Sequence, residues 1–211
     1  MSVNDAKTKS GAVKATTYVL LDFENVQPKN LVLLESKPFK VLVFVGARQT
    51  KVPFELARAL QALGKNAEYI QISGVGQNAL DFHIAYYIGK LAAAEPTAQF
   101  HVISKDKGFD PLIKHLKGQK IRVQRERDLA EIPQLRIPVS TSSDEQINAI
   151  VKNLAGRGHS RPRKVKTLQN TIKNLFAEQL GEQELSSLVK ELQKRKLIVI
   201  KENNVSYKLP Q

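Results

Sequence analysis

Short apolar runs alternate with helix-like segments along the first two thirds of the chain. The runs are rich in β-branched residues and apolar on both faces, which is typical of strands in a sheet that helices cover on both sides. Five such runs lie at 17–21, 40–45, 67–72, 100–103 and from 121 onwards. Helical patterns separate them at 28–34, 53–63, 79–94 and 111–116. This βαβαβαβαβ order predicts an α/β fold with a parallel sheet and right-handed crossovers.

The helical segment 79–94 is apolar nearly all round (ALDFHIAYYIGKLAAA), so we expect it to be well buried. The preceding stretch, GVGQNA at 74–79, fits the dinucleotide fingerprint GxGxxA. However, it follows the third strand, whereas the fingerprint belongs after the first strand of a dinucleotide-binding fold. A nicotinamide or flavin site is therefore disfavoured, and we expect this stretch to form a flexible lip.

The pattern changes after Pro138. A polar segment at 139–143 predicts a linker, and Ser143 is expected to cap a helix that begins DEQINAIVKNL. A basic connector at 156–166 leads to helical patterns at 167–176 and 182–194. Two strands, at 197–201 and 205–209, flank a hairpin turn at 202–204. Three short helices and a hairpin predict a small winged helix-turn-helix domain.

These patterns divide the chain into a disordered tail at 1–15, an α/β domain at 16–137 and the winged-helix domain at 138–211. The tail is polar and contains no apolar stretch of the kind that a secretory signal needs. No apolar run approaches the ~18 residues of a membrane span, so no membrane association is predicted.

The charge is strongly basic, with 33 Lys and Arg against 20 Asp and Glu, a net charge of +13. An excess of this size indicates an anionic partner, most often a nucleic acid, although a merely solvated basic surface is the alternative. The chain has no cysteine, which excludes disulfides, thiolate metal sites and cysteine nucleophiles. The absence of cysteine is consistent with the reducing cytoplasm, where we expect the protein to be located.

Four of the seven aspartates lie where an α/β sheet can bring them together. Asp22 ends the first strand, Asp106 follows the fourth, Asp110 opens the next helix and Asp81 lies early in helix 79–94. Ligands of open α/β sheets bind beyond the carboxyl ends of the strands, where the strand order reverses. If the order is 3-2-1-4-5, Asp22 and Asp106 face each other there, and Asn25 comes from the same loop as Asp22.

Converging carboxylates repel one another unless a cation lies between them, and hard oxygen ligands select Mg²⁺ or Mn²⁺. An acidic metal site inside a basic protein indicates a phosphate polyanion as the substrate. Each residue also has a structural alternative. Asp110 could cap its helix, Asp81 could stabilise a helix dipole, and Asp22 with Asn25 could form an Asx turn.

Three blocks of this sequence resemble the signature blocks of PIN-like nuclease domains, particularly the NYN branch: LDFEN at 21–25, NALDFHIAYYIG at 78–89 and ISKDKGFDPLI at 103–113. The resemblance covers about 16–137 and implies a Rossmann-like α/β fold with metal-dependent ribonuclease activity. It implies that Asp22, Asn25, Asp81 and Asp106 occupy the family's acidic motif, with Asp106 in its Ser-x-Asp setting. Many NYN proteins have a further Asp where this chain has Gly108, and it is open whether Asp110 substitutes for it.

Candidate contacts to nucleic acid are basic or polar residues near the carboxyl ends of the strands and in the connector. The C-terminal part resembles, through its helix spacing and its closing VSYKLP, the winged-helix modules, including the OST type, that accompany such nucleases. A solvated helix face or a protein-docking module is the alternative for this part. The expected contacts are Arg48, Gln49, Lys51, Lys105, Lys107, Arg161, Arg163, Lys164 and Lys166.

Aromatic residues near the expected crevice, Phe23, Phe82 and Phe109, could stack a base, but core packing is the favoured interpretation. The sequence thus predicts a nuclease that hydrolyses phosphodiester bonds with Mg²⁺ or Mn²⁺, acting on RNA in preference to DNA. Water is the expected nucleophile, metal ions are held by the four aspartates, and Asn25 orients Asp22 or the phosphate. Two alternatives stay open: a non-catalytic regulator that binds nucleic acid through the winged helix, and an interaction module that forms a homodimer.

Overall fold

The computed structural model describes residues 15–28, 31–138, 141–158 and 161–210. The expected N-terminal tail lies outside the described residues except for its last position. Residues 139–140 of the expected linker and residues 159–160 of the expected connector also lie outside the described residues.

A five-stranded parallel sheet forms the centre of the N-terminal part. Its strand order is β3-β2-β1-β4-β5, the order on which the expected meeting of Asp22 and Asp106 depends. The apolar runs of the sequence form these strands, because a strand covered by helices on both sides buries side chains on both faces of the sheet. The strands are β1 Thr17–Asp22, β2 Phe39–Val45, β3 Ala67–Gln71, β4 Gln99–Ile103 and β5 Arg122–Glu126.

Helices cover the two faces of this sheet with two separate cores. On one face lie α1 (Phe54–Leu63) and a short 3-10 helix, Leu31–Ser36, which replaces the α-helix expected over 28–34. On the other face lie α2 (Ala79–Ala94) and α3 (Phe109–Gly118). Since all strands are parallel, their carboxyl ends meet at one edge, where the predicted aspartates lie.

The prediction that α2 is buried all round is wrong. Leu80, Ile84 and Ile88 face the sheet, but Phe82 and Tyr86 are 69% and 61% exposed. The helix lies in an outer layer, so only the side that packs on the strands is covered. Within the described residues, no helix combines the length and the apolar character needed to cross a bilayer.

In the described residues of the C-terminal part, three α-helices and an antiparallel hairpin surround a core of their own. The predicted cap at Ser143 is wrong by one residue: Ser142 accepts a hydrogen bond from the Glu145 amide, and Glu145 bonds back to the amide of Ser142. This reciprocal capping box satisfies two backbone donors of the helix start. The elements are α4 Ser143–Gly156, α5 Val165–Lys173, α6 Glu182–Lys194, β6 Ile198–Lys201 and β7 Asn204–Tyr207.

The two parts of the chain are packed against each other. The amide of Ile137 donates to the Leu175 carbonyl at 2.6 Å, and its carbonyl accepts from the Ala177 amide at 2.9 Å. Ala130, from the segment that follows β5, is buried within the C-terminal core. Removing the C-terminal part would therefore expose apolar surface, so point substitutions are better probes of its function than truncation.

Candidate functional site

The site begins where β1 and β4 end side by side. Leu21 pairs with Ile103, so Asp22 and Ser104 follow at the same level of the sheet. Asp22 is fully buried, and its carboxylate accepts a 2.6 Å hydrogen bond from the Ser104 hydroxyl. It also accepts from the backbone amide of Asn25 at 3.1 Å and from its side-chain amide at 2.8 Å. These donors hold the buried carboxylate in one orientation, in the Asx turn that the structural alternative describes.

Ser104 connects Asp22 with Asp106. The Asp106 amide donates to the Ser104 oxygen at 3.0 Å, while the Ser104 hydroxyl donates to Asp22. The Asp106 carboxylate in turn accepts from the Gly108 amide at 2.7 Å. The loop after β4 is thereby positioned by the end of β1, which explains how two aspartates 84 positions apart in the chain come to one place.

Asp81, in the first turn of α2, completes a cluster of carboxylates. Partial burial, and then the charges of Asp22, Asp106 and Glu24, raise the pKa of Asp81 from its ordinary 3.8 to about 6. Three neighbouring carboxylates can have this effect only if they lie close to Asp81. The structure thus brings together three of the four predicted aspartates and one additional acidic residue.

Glu24 is the acidic residue that the sequence interpretation missed. It follows Asp22 by two positions, in the same loop at the carboxyl end of β1, and this position was a signal that could have identified it. Its carboxylate lies against the backbone of Gly46, just after β2, where an added Cβ would collide with it. The absence of a side chain at Gly46 therefore leaves the space that Glu24 occupies.

Asp110 has a different environment from the other three aspartates. The Arg125 guanidinium donates to both of its carboxylate oxygens, at 2.7 and 3.2 Å, and to the Ser104 carbonyl at 3.0 Å. This hydrogen-bonded ion pair lowers the pKa of Asp110. The Asp106 charge also acts on Arg125 and raises its pKa. Arg125 is thus a cation between Asp110 and the carboxylate cluster, and Asp110 serves as its partner.

The donor chemistry of the cluster fits a hard divalent cation. Asp22, Glu24, Asp81 and Asp106 offer only oxygen atoms, and the raised pKa of Asp81 reports an excess of negative charge at one place. Within the described ranges, no group of three or more His, Asp or Glu side chains is arranged to hold a metal ion. Mg²⁺ does not need such a group, because proteins usually hold it by one or two carboxylates together with water and substrate phosphates.

Replacing Asp81 with asparagine is expected to stabilise the metal-free protein. Because the folded-state pKa is raised, the ionised form is disfavoured in the folded protein, and stability is lost as pH rises from about 4 through about 6. Solvent screens this partly buried group, so we expect a gain in unfolding free energy of only about 1 kcal/mol. Urea denaturation with EDTA should show the full gain near pH 8 and none near pH 4. An equal gain at both pH values would contradict the prediction.

The residues of the α/β part that were predicted to contact nucleic acid are exposed near this edge of the sheet. Arg48, Gln49 and Lys51 occupy the loop after β2, and Lys105 and Lys107 flank Asp106. The aromatic residues separate into two groups: Phe23 and Phe109 are buried, as favoured from the sequence, whereas Phe82 is exposed. His83 bonds to the Ala79 carbonyl and lies 3.4 Å from the Ser73 hydroxyl.

The basic residues of the C-terminal part that were predicted to contact nucleic acid also separate into two pairs. Arg161 donates to the carbonyls of Leu154 and Ala155 at the end of α4, and Lys164 donates to the Asn204 side chain. These two side chains support the local structure. Arg163, whose carbonyl accepts from the Val205 amide of β7, and Lys166, in the first turn of α5, are both exposed, which leaves them the better candidates for contact with phosphates.

Comparison with known proteins identifies the N-terminal part. A family profile described as a PIN domain matches residues 16–126, just over half of the chain. The match begins before β1 and ends with β5, so it contains the whole sheet and every carboxylate of the cluster. No curated protein and no solved structure matches the chain.

Proposed function

The chain belongs to the PIN-domain family, whose members are generally nucleases, and on this premise we propose that it is a Mg²⁺- or Mn²⁺-dependent ribonuclease of the NYN type. The observation that carries the proposal is the cluster of Asp22, Glu24, Asp81 and Asp106 at the carboxyl end of the sheet. Partial burial, and then the charges of the neighbouring carboxylates, raise the pKa of Asp81, and a divalent cation would neutralise these charges and let an anionic phosphate approach.

Each residue of the cluster has a role that follows from its contacts. Asp22, Asp81, Asp106 and Glu24 would hold the cation, one or two of them directly and the others through water, and the cation would supply polarisation of the phosphoryl oxygen and activation of water. Asn25 and Ser104 keep the Asp22 carboxylate pointing in one direction. Asp110, predicted from the sequence as a metal ligand, enters the proposal differently: it holds Arg125 near Asp106, where the guanidinium can bind a phosphate oxygen.

Water is the proposed nucleophile. The described serine and histidine that approach each other, Ser73 and His83, are 3.4 Å apart, and the other ring nitrogen of His83 bonds to the Ala79 carbonyl. A serine nucleophile needs a histidine that a carboxylate orients, and this pair has a carbonyl in that place.

RNA is the proposed substrate because of the charge distribution around the cluster. Lys105 and Lys107 flank Asp106, and Arg48 and Lys51 lie in the loop after β2, so exposed cations surround an acidic centre. Such an arrangement suits a polyanion whose backbone is held by cations while one phosphate meets the cluster. We propose that the C-terminal helices and hairpin form a winged-helix module that adds contacts to the same nucleic acid.

The Asp81→Asn variant tests this proposal, because its stability and its activity are expected to change in opposite directions. In the presence of Mn²⁺, we expect the wild type to cut single-stranded RNA. We expect the cleavage rate of the variant to be lower by a factor of at least about 10². Glu55→Gln, which neutralises an exposed carboxylate in the first turn of α1, is the matched control and should cut like the wild type.

Loss of activity together with a gain in stability would mark Asp81 as a functional group and not a structural one. If the wild type does not cut with any divalent ion but binds RNA, the non-catalytic binding protein is the correct alternative. If Mn²⁺ raises the thermal stability of the wild type and of Asp81→Asn equally, Asp81 does not contribute to ion binding.

A further inference from the structure

A groove with aromatic walls lies between α2 and the edge strand β3. It has a volume of about 440 Å³, and its lining includes Phe82, Tyr86 and Tyr87 from α2 and Gln71 from the end of β3. Phe82 and Tyr86 project 69% and 61% of their surface to solvent. Large aromatic rings are rarely left exposed side by side unless they contact a partner. The roles proposed above for the carboxylate cluster make no use of this groove.

The rings form an ordered row. Phe82 and Tyr86 are four residues apart on α2, so they lie on the same side of the helix about 6 Å apart along its axis. Tyr86 packs edge-to-face on Tyr87 at a centroid distance of 5.5 Å, and Tyr87 packs in the same way on the buried Phe44 at 5.2 Å. The row is therefore anchored in the core of the sheet, and its outer faces are left open.

The row begins at the carboxylate cluster. Phe82 directly follows Asp81 in the first turn of α2, and Tyr86 lies one turn further along the helix. A single strand of nucleic acid stacked on these rings would run along α2 and reach the carboxylate cluster at the amino end of the helix.

Cations lie at both ends of the groove. The Lys90 ammonium lies 5.7 Å from the centroid of the Tyr87 ring. At the other end, the Gln71 side chain donates to the carbonyls of Ala47 and Gln49, at 3.1 and 3.3 Å. These bonds attach the loop that contains Arg48 and Lys51 to the edge of the groove. Apolar rings between positive charges match a chain of bases joined by phosphates better than they match an apolar protein surface.

We infer that the groove between α2 and β3 binds single-stranded nucleic acid, with bases stacked on Phe82 and Tyr86 and phosphates near Lys90 and Lys51. The inference rests on the proposed function, since it takes the bound strand to be the substrate that approaches Asp81. It explains why α2 is apolar on the side that faces away from the sheet. It also implies that a duplex, whose bases are already stacked on one another, binds this surface weakly.

Fluorescence can test the contact directly because the chain contains no tryptophan. In Tyr86→Trp, the only indole is in the groove, so stacking of a base should quench its emission when a short single-stranded RNA is added in EDTA. An abasic strand of equal length, which has the phosphates without the bases, should bind more weakly and leave the emission unchanged. Phe54→Trp is the matched control: Phe54 is exposed on α1, which packs on the opposite face of the sheet.

The expected result is that RNA, but not the abasic strand, quenches the indole of the Tyr86→Trp variant, while the indole of the Phe54→Trp variant is not quenched. Equal quenching of Tyr86→Trp by both strands, or none by RNA that demonstrably binds, would overturn the inference. A concentration-dependent change in the emission of Tyr86→Trp without RNA would also overturn it, because the groove would then be an interface between two copies of the chain.

Affinity measurements separate this inference from the proposed function. In EDTA, Phe82→Ala and Tyr86→Ala should each weaken binding of single-stranded RNA by roughly 5- to 100-fold. Such losses support the groove even if the wild type never cuts RNA. If the wild type cuts RNA in a reaction that requires Asp81 while both alanine variants bind and cut normally, the groove is refuted and the proposed function stands.

Discussion

Replacing Asp22 with alanine is expected to abolish RNA cleavage and to lower the unfolding free energy by about 2–3 kcal/mol. Asp22 is the buried member of the carboxylate cluster, and three donors from Asn25 and Ser104 end on it. Without the carboxylate, the fully buried Ser104 hydroxyl loses its acceptor, and an unpaired buried polar group is costly. The loops after β1 and β4 would also lose the bond that joins them.

Cleavage by Asp22→Ala should fall by at least about 10²-fold, because the variant lacks both a carboxylate of the cluster and the hydrogen bond that positions the Asp106 loop. Guanidinium denaturation and a cleavage assay with Mn²⁺ measure the two effects on the same preparation. Activity close to that of the wild type would contradict the assignment of the site.

Two control variants separate the effects of Asp22 on fold and on activity. Ser104→Ala removes one donor to Asp22 and the acceptor of the Asp106 amide but keeps the carboxylate, so a stability loss of about 1–2 kcal/mol and partial activity are expected. Asp128→Ala removes an aspartate that accepts from the Ala130 amide at 3.0 Å, outside the cluster. It should cost about 1 kcal/mol of stability and leave cleavage intact. If Asp128→Ala reduced cleavage as much as Asp22→Ala, lost stability would explain both results.

Replacing Arg163 and Lys166 together with alanine is expected to weaken RNA binding strongly and to reduce its dependence on salt. Both side chains are exposed, and neither supports the local fold in the way that Arg161 does. Each cation that neutralises a phosphate of a single strand contributes about 0.7 to the slope of log K against log salt. We therefore expect the slope to fall by about 1.4, with affinity about 10-fold lower at low salt.

The matched control for this double variant is Lys37→Ala with Lys65→Ala. It removes the same two charges from exposed positions near the starts of β2 and β3, at the opposite end of the sheet from the carboxylate cluster. Titrations in EDTA at several salt concentrations compare the two proteins without cleavage. An equal loss of affinity in both would mean that the C-terminal part contributes only its net charge. No loss in the first would refute its proposed role in binding.

Patterns in the sequence, together with an assumed strand order, predicted where the carboxylates of the site would meet. With the order 3-2-1-4-5 the runs at 17–21 and 100–103 are adjacent strands, and the observed order does place Asp22 and Asp106 at neighbouring strand ends. This prediction is possible because parallel strands of an open sheet direct all their carboxyl ends to one edge. The role of Asp22, Asp81 and Asp106 in catalysis remains a prediction that the variants above test.

Contacts between distant segments could not be predicted in the same way. Arg125 on β5 pairs with Asp110 on α3, and the packing of α3 against β5 brings these two side chains together. In the sequence, Asp110 could not be distinguished from the other aspartates, because an aspartate at the start of a helix is equally suited to be a metal ligand. Its partner is 15 residues away, and no local pattern contains that information.

From the sequence alone follow the strands, most of the helices and the edge at which acidic groups collect, because hydrophobic periodicity and strand-end rules act over short stretches of chain. Tertiary packing alone decided the order of the strands, that Arg125 engages Asp110, and that α2 leaves Phe82 and Tyr86 open to solvent. The physical reason is the same in each case. Burial, charge coupling and exposure depend on which surfaces meet in space, and those surfaces come from segments that are far apart in the chain.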